Sequence, residues 1–379
     1  MGAARIKGSM KVVFVSPYIK LLHTGGGEKH LLDVALALPR SAKIYLAVPT
    51  EADVSEQEFE KKVVHYRETY EAFMGLSLGR IHFIRSPLFT EAPWYTKLFW
   101  TRSFDYLYFV TDGSLFFSLA GRNLLHIQTP LLLQNHSWAF KLKSSQWQKI
   151  NTNSEFTKSI VEKYWKLKVD QVIYPAIDAR LFSQRGEKKN IILSVGRFFP
   201  QLHSKRQEII VEAFLQLLKE QPRLFQNWQL VLVGTVENAD YFNKIKKLAG
   251  SAPIVFETDL DRVAVQSLYA QARIFWHASG YQVDPERNPE KVEHFGISTV
   301  EAMAAGAIPM VIPSGGQMEA IPPELQDYTW NNISQLVNQT TRLVRDPKQE
   351  ARLRTIITSR AREFSMATLE KNVRKFFYE

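Results

Sequence analysis

Two glutamates, Glu293 and Glu301, flank a short segment whose residue types suit ligand binding. Glu293 precedes a predicted helix, and Glu301 is expected in the first turn of that helix. Between them, the backbone amides of Phe295, Gly296 and Ile297 could face a ligand. Carboxylates accept hydrogen bonds from sugar and ribose hydroxyls, whereas amides at the start of a helix suit a phosphate. The segment therefore predicts a binding site for a nucleotide sugar.

A second interpretation of the same residues needs no ligand. Ser298 and Glu301 have the spacing of a capping box, in which a serine and a glutamate satisfy the first amides of their own helix. The short segment alone is compatible with both interpretations. A longer comparison favours the ligand, because residues 293–297, 300–306 and 314–319 together resemble the C-terminal signature of family 4 retaining glycosyltransferases, which have the GT-B fold.

Length and element pattern predict two α/β domains. A chain of 379 residues exceeds what one core usually organises, and a hydrophobic content of 45% is ample for two cores. Short β-branched runs alternate with helical patterns, which indicates parallel sheets covered by helices on both faces. The strand candidates are residues 12–15, 44–48, 81–84 and 106–110 in the first half, and 191–195, 230–233, 254–256, 274–277 and 309–312 in the second.

We place the domain boundary where the first series of strands ends. Residues 1–9 precede a second methionine and are set aside as an expected expression remnant. Residues 10–177 are predicted to form an N-terminal Rossmann-like domain, and residues 178–359 a C-terminal one. The resemblance to GT-B enzymes implies that two doubly wound domains face each other across a cleft, with the acceptor on the first domain and the nucleotide sugar on the second. It also implies that residues 360–379 form a helix that crosses back onto the first domain.

Two cations follow the first strand of the second domain. Arg197 and Lys205 are expected at the carboxyl edge of a parallel sheet, where ligands bind in doubly wound folds. There they could clamp a diphosphate, although a lone surface arginine or lysine is usually only a solvated loop residue. Their spacing resembles the phosphate-binding pair of the family. The family often has glycine after the lysine, and this chain has Arg206 instead.

Three consecutive glycines, Gly25, Gly26 and Gly27, follow Thr24 and precede a helix predicted over residues 28–38. Glycines let the backbone approach a ligand closely, and the start of a helix favours an anion by about 0.3 to 1 kcal/mol. Glycines also make ordinary strand-to-helix turns, so this signal is weak by itself. The segment resembles the N-terminal glycine loop of the family, which implies a position facing the diphosphate and the acceptor.

His126 is predicted at the end of another strand on the same sheet edge. A single histidine is often a structural residue. Residues 126–130 resemble the family's active-site histidine segment, which implies that His126 lies beside the donor sugar and orients it rather than acting as a nucleophile. The nearby segment 153–156 is similar to a family segment near the cleft, but Ser154 could equally be a plain helix cap.

Metal and thiol chemistry have little support. Asp259 and Asp261 match the metal-binding triplet of the other large glycosyltransferase fold, but such triplets are common, and capping of the following helix is the favoured interpretation. His277 and His294 lack the spacing of a zinc site, and the chain has no cysteine. We expect no metal and no cofactor besides the nucleotide-sugar co-substrate. The proline-rich and charged segment 280–292 is either a gate over the donor site or a surface excursion.

The net charge of +10 is unevenly distributed. Residues 80–168 contain 12 Lys and Arg against 5 Asp and Glu, and they are rich in aromatic residues. Basic residues interleaved with aromatic ones suit an anionic membrane surface or a nucleic acid, although many of the aromatic side chains could be core. Because the first domain of GT-B enzymes receives the acceptor, we favour an acidic lipid carrier or a lipid-linked sugar and expect no nucleic acid. Residues 94–101 are the best candidate for surface contact.

The predicted function is that of a retaining glycosyltransferase that moves a sugar from a nucleotide diphosphate sugar to a hydroxyl of a glycan or lipid-linked acceptor. The resemblance is nearest to lipid-linked oligosaccharide mannosyltransferases and favours GDP-mannose over a UDP- or ADP-sugar. It implies that Glu301 holds the ribose, Arg197 and Lys205 the diphosphate, and Glu293 the sugar.

Two other classes of function stay open at this stage. One is a GT-B nucleotide-sugar epimerase or phosphorylase. The other is a non-enzymatic membrane or nucleic-acid adaptor on a transferase scaffold. Neither a signal peptide pattern nor an apolar run of membrane-spanning length is present, so we expect a cytoplasmic protein associated peripherally with the inner membrane face.

Overall fold

The computed structural model describes residues 10–19, 25–75, 77–133, 137–182, 187–201 and 204–379. The chain forms two compact units. Unit 1 contains the chain up to Pro175 together with Met366–Glu379, and unit 2 is Ala176–Ser365. The predicted expression remnant 1–9, Thr24 and part of the predicted interdomain stretch, residues 183–186, lie outside the described residues.

Unit 1 is built on a parallel sheet whose strands are short and mostly buried. The strands are β1 (Lys11–Val15), β2 (Lys43–Pro49), β3 (Ile81–Ser86), β4 (Tyr106–Val110), β5 (Arg122–Ile127), β6 (Lys149–Thr152) and β7 (Gln171–Val172). Their order across the sheet is β3-β2-β1-β4-β5-β6-β7. Strands β6 and β7 were not among the strand candidates, because a run of two to four residues is too short to show a period in sequence.

Helices cover the sheet of unit 1, and one of them comes from the end of the chain. They are α1 (Gly26–Leu36), α2 (Glu56–Met74), α3 (Trp94–Thr101), α4 (Trp138–Ser144), α5 (Glu155–Ile160) and α13 (Met366–Tyr378). Helix α13 packs against α1. Its Phe377 is fully buried and stacks on Tyr108 of β4 with ring centroids 5.7 Å apart. A buried aromatic side chain of this size contributes roughly 1.5 to 3 kcal/mol, which ties the C-terminal helix to the sheet.

Unit 2 repeats the same design with a smaller parallel sheet. Its strands are β8 (Lys189–Val195), β9 (Gln229–Val233), β10 (Ile254–Glu257), β11 (Ala272–Trp276) and β12 (Ile308–Met310), in the order β10-β9-β8-β11-β12. Its helices are α6 (Gln207–Glu220), α7 (Pro222–Phe225), α8 (Ala239–Ala249), α9 (Arg262–Gln271), α10 (Ile297–Ala304), α11 (Ile333–Arg345) and α12 (Pro347–Ala361). The fold class predicted from the alternation of strands and helices, α/β with two doubly wound domains, is confirmed.

Several helices begin where a polar side chain accepts a hydrogen bond from an amide of the first turn. Ser154 caps α5 by accepting from Thr157 N at 3.0 Å, and Asp261 caps α9 by accepting from Ala264 N at 2.8 Å. Such caps contribute about 1 kcal/mol each. The capping interpretation of Asp261 is thus confirmed. In the described part of the chain, no helix is both long enough and apolar enough to cross a membrane.

Candidate active site

The order of strands in unit 2 reverses between β8 and β11, and the two chain segments that leave these strands carry charged groups. Arg197 and Lys205 follow β8, and His277 follows β11 directly. In open parallel sheets, ligands bind outside the carboxyl ends of the strands at such a reversal. The topology therefore brings both predicted cations to the position in unit 2 where a ligand is expected.

Glu293 lies at this edge and is held from two sides. The Lys205 ammonium donates to Glu293 Oε2, and His277 Nε2 lies 3.2 Å from the same oxygen. The His277 side chain is 1% exposed and that of Glu293 12%. Burial by itself raises the pKa of the Glu293 carboxyl, but Lys205 and His277 outweigh it and hold the pKa well below its usual range. Glu293 is therefore ionised at neutral pH and can accept hydrogen bonds from hydroxyl groups.

Close backbone contacts position Lys205. A Cβ atom on Gly196 would overlap Lys205 Cγ, and a Cβ atom on Gly234 would overlap the carbonyl oxygen of Gly196. The Gln207 side chain donates to the carbonyl oxygens of Gly196 at 3.1 Å and of Arg197 at 3.0 Å. The lysine stem therefore lies across a glycine backbone that the start of α6 holds in place. Only glycine leaves room for this arrangement.

Arg197 is more exposed than Lys205 and has a different partner. Its guanidinium donates to Glu237 at 3.0 Å, and its side chain is 40% exposed. A partly exposed ion pair of this kind contributes only about 0 to 1 kcal/mol. A diphosphate can therefore compete with Glu237 for Arg197 at little cost. The structure places Arg197 beside the Lys205 loop but not in contact with Glu293 in the described residues.

Helix α10 begins beside Glu293. Gly296 precedes it with φ of +90°, a left-handed conformation that favours glycine, and no side chain in the described residues caps this helix. The amides of the first turn, starting at Ile297, are thus available to an anion. Phe295 is 2% exposed and packs on Phe364 at 5.3 Å between ring centroids. Only the backbone of Phe295 can therefore face a ligand, as the sequence interpretation assumed.

Glu301 lies in the second turn of α10, not in the first turn as predicted, because the helix begins at Ile297. Its carboxylate accepts from the Arg262 guanidinium of α9 and is 6% exposed. Burial and the neighbouring Glu301 raise the pKa of Tyr269 well above its ordinary value. The capping-box interpretation of Ser298 and Glu301 is wrong, because Gly296 occupies the cap position and Glu301 pairs with Arg262 instead.

In unit 1 the three glycines lie at the start of a helix rather than in a loop before it. Helix α1 begins at Gly26, with Gly25 at the cap position, so the predicted start at residue 28 is wrong by two residues. A Cβ atom on Gly27 would lie 2.7 Å from the amide group of Gln128. Glycine thus lets the first turn of α1 approach the segment that follows β5. Its amides remain candidates for binding an anion.

His126 of β5 is buried and lies beside helix α1. Asn151 Nδ2 donates to His126 Nδ1 at 2.9 Å, which leaves the proton of the neutral ring on Nε2. Burial lowers the pKa of His126 to about 3, so the ring is neutral at physiological pH. Nε2 has no hydrogen-bond partner among the described residues. His126 is therefore a neutral donor, a state suited to orienting a sugar oxygen.

His30 of α1 is a neighbour that the sequence interpretation did not include. Its ring lies 5.0 Å from that of His126, and it is 2% exposed. Burial, with His126 and Lys29 adding to it, lowers the pKa of His30 well below its ordinary value. The only feature of the sequence that points to His30 is its position three residues after Gly27. That position indicates a site residue only once α1 is known to pack against β5.

Two groups in unit 2 were also missed. His277 was considered only as a metal ligand, and Arg262 was not singled out. A histidine directly after a buried strand at the sheet edge was the available signal for His277. No local signal points to Arg262, because its pairing with Glu301 joins residues separated by 39 positions. Within the described ranges, no group of three or more His, Cys, Asp or Glu side chains could hold a metal ion.

The two ends of the segment 280–292 lie next to each other. A Cβ atom on Gly280 would lie 3.3 Å from Val292 Cγ1, so the two ends of the segment touch. Tyr281 is buried, and its carbonyl oxygen accepts from Arg206 at 3.2 Å. The Arg287 side chain in the middle is 85% exposed. The segment is thus a compact surface loop anchored at its base.

Comparison with known proteins places part of the chain in a family model and identifies relatives. Residues 178–362 match the family model described as "Glycosyl transferases group 1". The chain is 24% identical over 374 residues to "Alpha-1,3/1,6-mannosyltransferase ALG2" of Candida glabrata, covering 82% of this chain and 78% of that protein. It is 29% identical over 210 residues to "GDP-Man:Man(3)GlcNAc(2)-PP-Dol alpha-1,2-mannosyltransferase" of Neurospora crassa, covering 47% of this chain. The match spans only 35% of the length of this second relative.

Solved structures share the fold over nearly the whole chain. Anabaena HepE in complex with UDP has a TM-score of 0.68 at 18% identity, covering 97% of this chain and 99% of that one. The glycosyltransferase WaaG, involved in lipopolysaccharide biosynthesis, has a TM-score of 0.60 at 15% identity, covering 98% of this chain and 100% of that one. Residues 178–362 therefore match a glycosyl transferases group 1 domain, and the chain shares its two-domain α/β fold with these solved glycosyltransferase structures.

Proposed function

We propose that the protein transfers a sugar from a nucleotide diphosphate sugar to a hydroxyl group of a glycan or lipid-linked acceptor, with retention of the anomeric configuration. The observation that carries this proposal is the cluster of Lys205, Glu293 and His277 beside the uncapped start of α10. A cation and free amides suit a diphosphate, and an ionised carboxylate beside them suits the hydroxyls of the attached sugar.

Residues of unit 2 bind the different parts of the donor. Lys205 and Arg197 hold the diphosphate and stabilise the negative charge that grows on it as the sugar leaves. Glu293 accepts hydrogen bonds from the sugar hydroxyls, and Glu301, fixed by Arg262, accepts from the ribose. The bond between the anomeric carbon and the phosphate oxygen breaks, and a bond from the acceptor oxygen forms on the same face of the sugar. The acceptor proton passes to the leaving phosphate, so the step balances without a covalent enzyme intermediate.

The residues of unit 1 are assigned to the sugar and the acceptor. His126 donates from Nε2 to an oxygen of the transferred sugar, because its proton lies on that atom and the atom has no partner in the described residues. The first amides of α1, at Gly25, Gly26 and Gly27, bind an anionic part of the donor or the acceptor.

GDP-mannose is the donor that we favour. Two relatives of this chain are mannosyltransferases by name, and one of these names specifies a GDP-Man donor. HepE, in contrast, was crystallised with UDP and UDP-glucose, so a UDP-sugar is the first competitor in a test. A panel of GDP-, UDP- and ADP-sugars, assayed for binding by calorimetry and for slow hydrolysis without acceptor, identifies the donor.

Two substitutions test the assigned roles. Arg197→Ala removes one charge-assisted hydrogen bond, worth about 1.5 to 3 kcal/mol, and should weaken binding of the preferred nucleotide about 10- to 100-fold. Glu293→Gln should lower the turnover rate about 100- to 1,000-fold with little change in nucleotide affinity. Wild-type turnover in a correctly folded Arg197→Ala, Glu293→Gln double variant would contradict the assignment.

Product analysis separates the proposed reaction from the other enzymes that use this fold. A transferase needs an acceptor to form product and releases a nucleoside diphosphate. An epimerase would interconvert free nucleotide sugars, and a phosphorylase would consume inorganic phosphate.

We also propose a cytoplasmic protein that meets a lipid-linked acceptor at the inner membrane face. The excess of basic residues in 80–168 supports this location.

A further inference from the structure

Unit 1 exposes an unusual number of large apolar side chains in one region. Eight of the fourteen large hydrophobic side chains that are exposed in the described residues lie within residues 89–142. Trp94, at the start of α3, is 74% exposed, and Trp138, at the start of α4, is 77% exposed. Tryptophan is rarely left in water to this degree, because burying its ring is strongly favourable. The region therefore requires an explanation beyond the stability of the fold.

The exposed side chains form one continuous surface. Leu119 N donates to Thr101 Oγ1 at the end of α3 at 2.8 Å, which places the segment 116–119 beside α3. On its other side, Ser118 N donates to Gln146 Oε1 at 2.9 Å, just beyond α4. The Lys143 ammonium of α4 lies 6.0 Å from the centre of the Phe117 ring. Helix α3, segment 116–119 and helix α4 thus lie side by side.

We call this region the α3–α4 surface. Its exposed apolar members are Trp94, Tyr95, Phe99, Phe117, Leu119, Trp138 and Leu142. Its basic members are Lys97, Arg102, Lys141 and Lys143, and neither helix contains an acidic residue. The two helices therefore combine exposed apolar side chains with charges that are only positive.

We propose that the α3–α4 surface docks the protein on an anionic lipid bilayer, with the two tryptophans at the headgroup level and the lysines facing lipid phosphates. Tryptophan favours the membrane interface because its ring is apolar and its indole NH needs a polar partner. Helices of eight and seven residues are too short to span a bilayer, so they lie on it. The inference rests on the proposed function only for its consequence, which is to bring unit 1 to a lipid-linked acceptor.

Two other occupants fit the surface less well. A second copy of the chain would place one set of lysines and arginines against another, and like charges oppose association. A nucleic acid is bound mainly through phosphate contacts, and its protein interfaces are strongly basic. Here seven large apolar side chains accompany four cations. An anionic bilayer matches both features, since it offers an apolar interior beneath a negatively charged surface.

The test is sedimentation of the full-length protein with vesicles, using phosphatidylcholine and phosphatidylserine at a ratio of about 7:3, and phosphatidylcholine alone as the neutral probe. Each cation near an anionic surface changes the partition coefficient about fivefold, so Lys141→Gln, Lys143→Gln should weaken binding to anionic vesicles by about 25-fold at low salt. Trp94→Ala, Trp138→Ala should weaken it at least tenfold at every salt concentration. Lys244→Gln, Lys247→Gln, which removes two exposed lysines of α8 in unit 2, is the matched control and should bind as the wild type does.

The outcomes separate this inference from the proposed function. Donor hydrolysis without acceptor should be unchanged in the double tryptophan variant, and it reports on the transferase site alone. If the wild-type protein does not hydrolyse any donor, the transferase proposal is contradicted, and the docking result is unaffected. The docking proposal would be overturned if the wild-type protein did not bind anionic vesicles, or if the double tryptophan variant bound them as well as the wild type does. Self-association that the tryptophan substitutions abolish, or tighter binding to a single-stranded RNA probe than to vesicles, would also overturn it.

Discussion

At the scale of single residues, the candidate site depends on one carboxylate with two neighbours. Lys205 donates to Glu293 Oε2 and His277 lies beside the same oxygen, whereas Glu301, eight residues after Glu293, is paired with Arg262. The two pairs are buried, so removing one partner leaves a charge without compensation, which costs about 3 to 5 kcal/mol. A bound diphosphate that draws Lys205 away would leave His277 as the group that keeps Glu293 in position. His277 is therefore a positioning residue.

Replacing His277 should change the pH dependence of the reaction. His277 lowers the pKa of Glu293, so His277→Phe should raise that pKa and move the acid limb of the turnover profile to higher pH. The sign follows because Glu293 must be ionised to accept hydrogen bonds. His277→Gln keeps a donor and should restore part of the wild-type profile. The pH dependence of turnover, measured for the three proteins, is the readout, and superimposable acid limbs would rule out the role.

The same carboxylate links stability to pH. Its pKa in the folded protein is depressed, so its contribution to stability is present above the unfolded value of about 4.3 and is lost as the pH falls through the folded pKa. The acid unfolding of unit 2 should therefore shift to higher pH in the His277→Phe variant.

At the scale of elements, the site depends on how closely two chain segments approach each other. The turn after β8 and the turn after β9 are packed backbone to backbone through Gly196 and Gly234, and the stem of Lys205 crosses the first of them. Helix α10 enters the site through Gly296, whose left-handed φ of +90° sets the direction of the first turn. The compact loop 280–292 lies between β11 and Glu293 and is anchored at both ends, so its base holds Glu293 in place.

Gly196→Ala tests this packing. The added methyl group would overlap the Lys205 stem, so Lys205 must move away from Glu293. We expect a loss of about 1 to 3 kcal/mol of stability and a decrease in turnover beyond what the stability change explains. Gly79→Ala in unit 1 is the matched control, because the nearest atom to its Cβ, Ser77 Oγ, lies at 3.4 Å. Thermal unfolding and turnover of both variants decide the matter, and a fully active, stable Gly196→Ala protein would contradict it.

At the scale of the whole molecule, unit 1 is assembled from both ends of the chain. Helix α13 follows unit 2 in sequence but packs on α1, and Phe376 and Phe377 are 1% and 0% exposed. The Lys149 ammonium of β6 donates to the carbonyl oxygen of Phe376 at 2.8 Å. Unit 1 therefore cannot complete its core until the last residues of the chain are in place.

Phe377→Ala should destabilise unit 1 selectively. Removing a fully buried phenylalanine costs about 3 to 5 kcal/mol, which corresponds to a decrease of roughly 6 to 20 °C in the melting temperature of a unit of this size. Tyr378→Ala is the control, because Tyr378 is 40% exposed and its loss should have little effect. Calorimetry that resolves two transitions would show which unit is affected. Equal melting curves for the two variants would mean that α13 does not stabilise unit 1.

The sequence by itself determined the class of the fold and identified the segments that carry the candidate site. Strand and helix periods are local properties, so the alternation of short apolar runs and helical patterns predicted two parallel-sheet domains, and the structure and the related folds confirm it. Motif spacing identified the segments that carry Glu293, Glu301, Arg197 and Lys205, and all four residues lie within 178–362, the part of the chain that matches a glycosyl transferases group 1 model. The binding roles of these residues stay predictions.

Only the tertiary structure decided which groups meet. Lys205 and Glu293 are 88 positions apart, and Arg262 and Glu301 are 39 apart, so no local pattern could pair them. The start of α1 differed from expectation because the glycines at positions 26 and 27 were taken for loop residues, and the close approach of Gln128 explains why glycine is needed at position 27. The start of α10 differed because Ile297 was taken for a turn residue. The exposed tryptophans of α3 and α4 belong to the same category. The residue type alone does not tell whether an aromatic side chain is buried or exposed. Only the packing of the whole chain shows which side chains are left exposed.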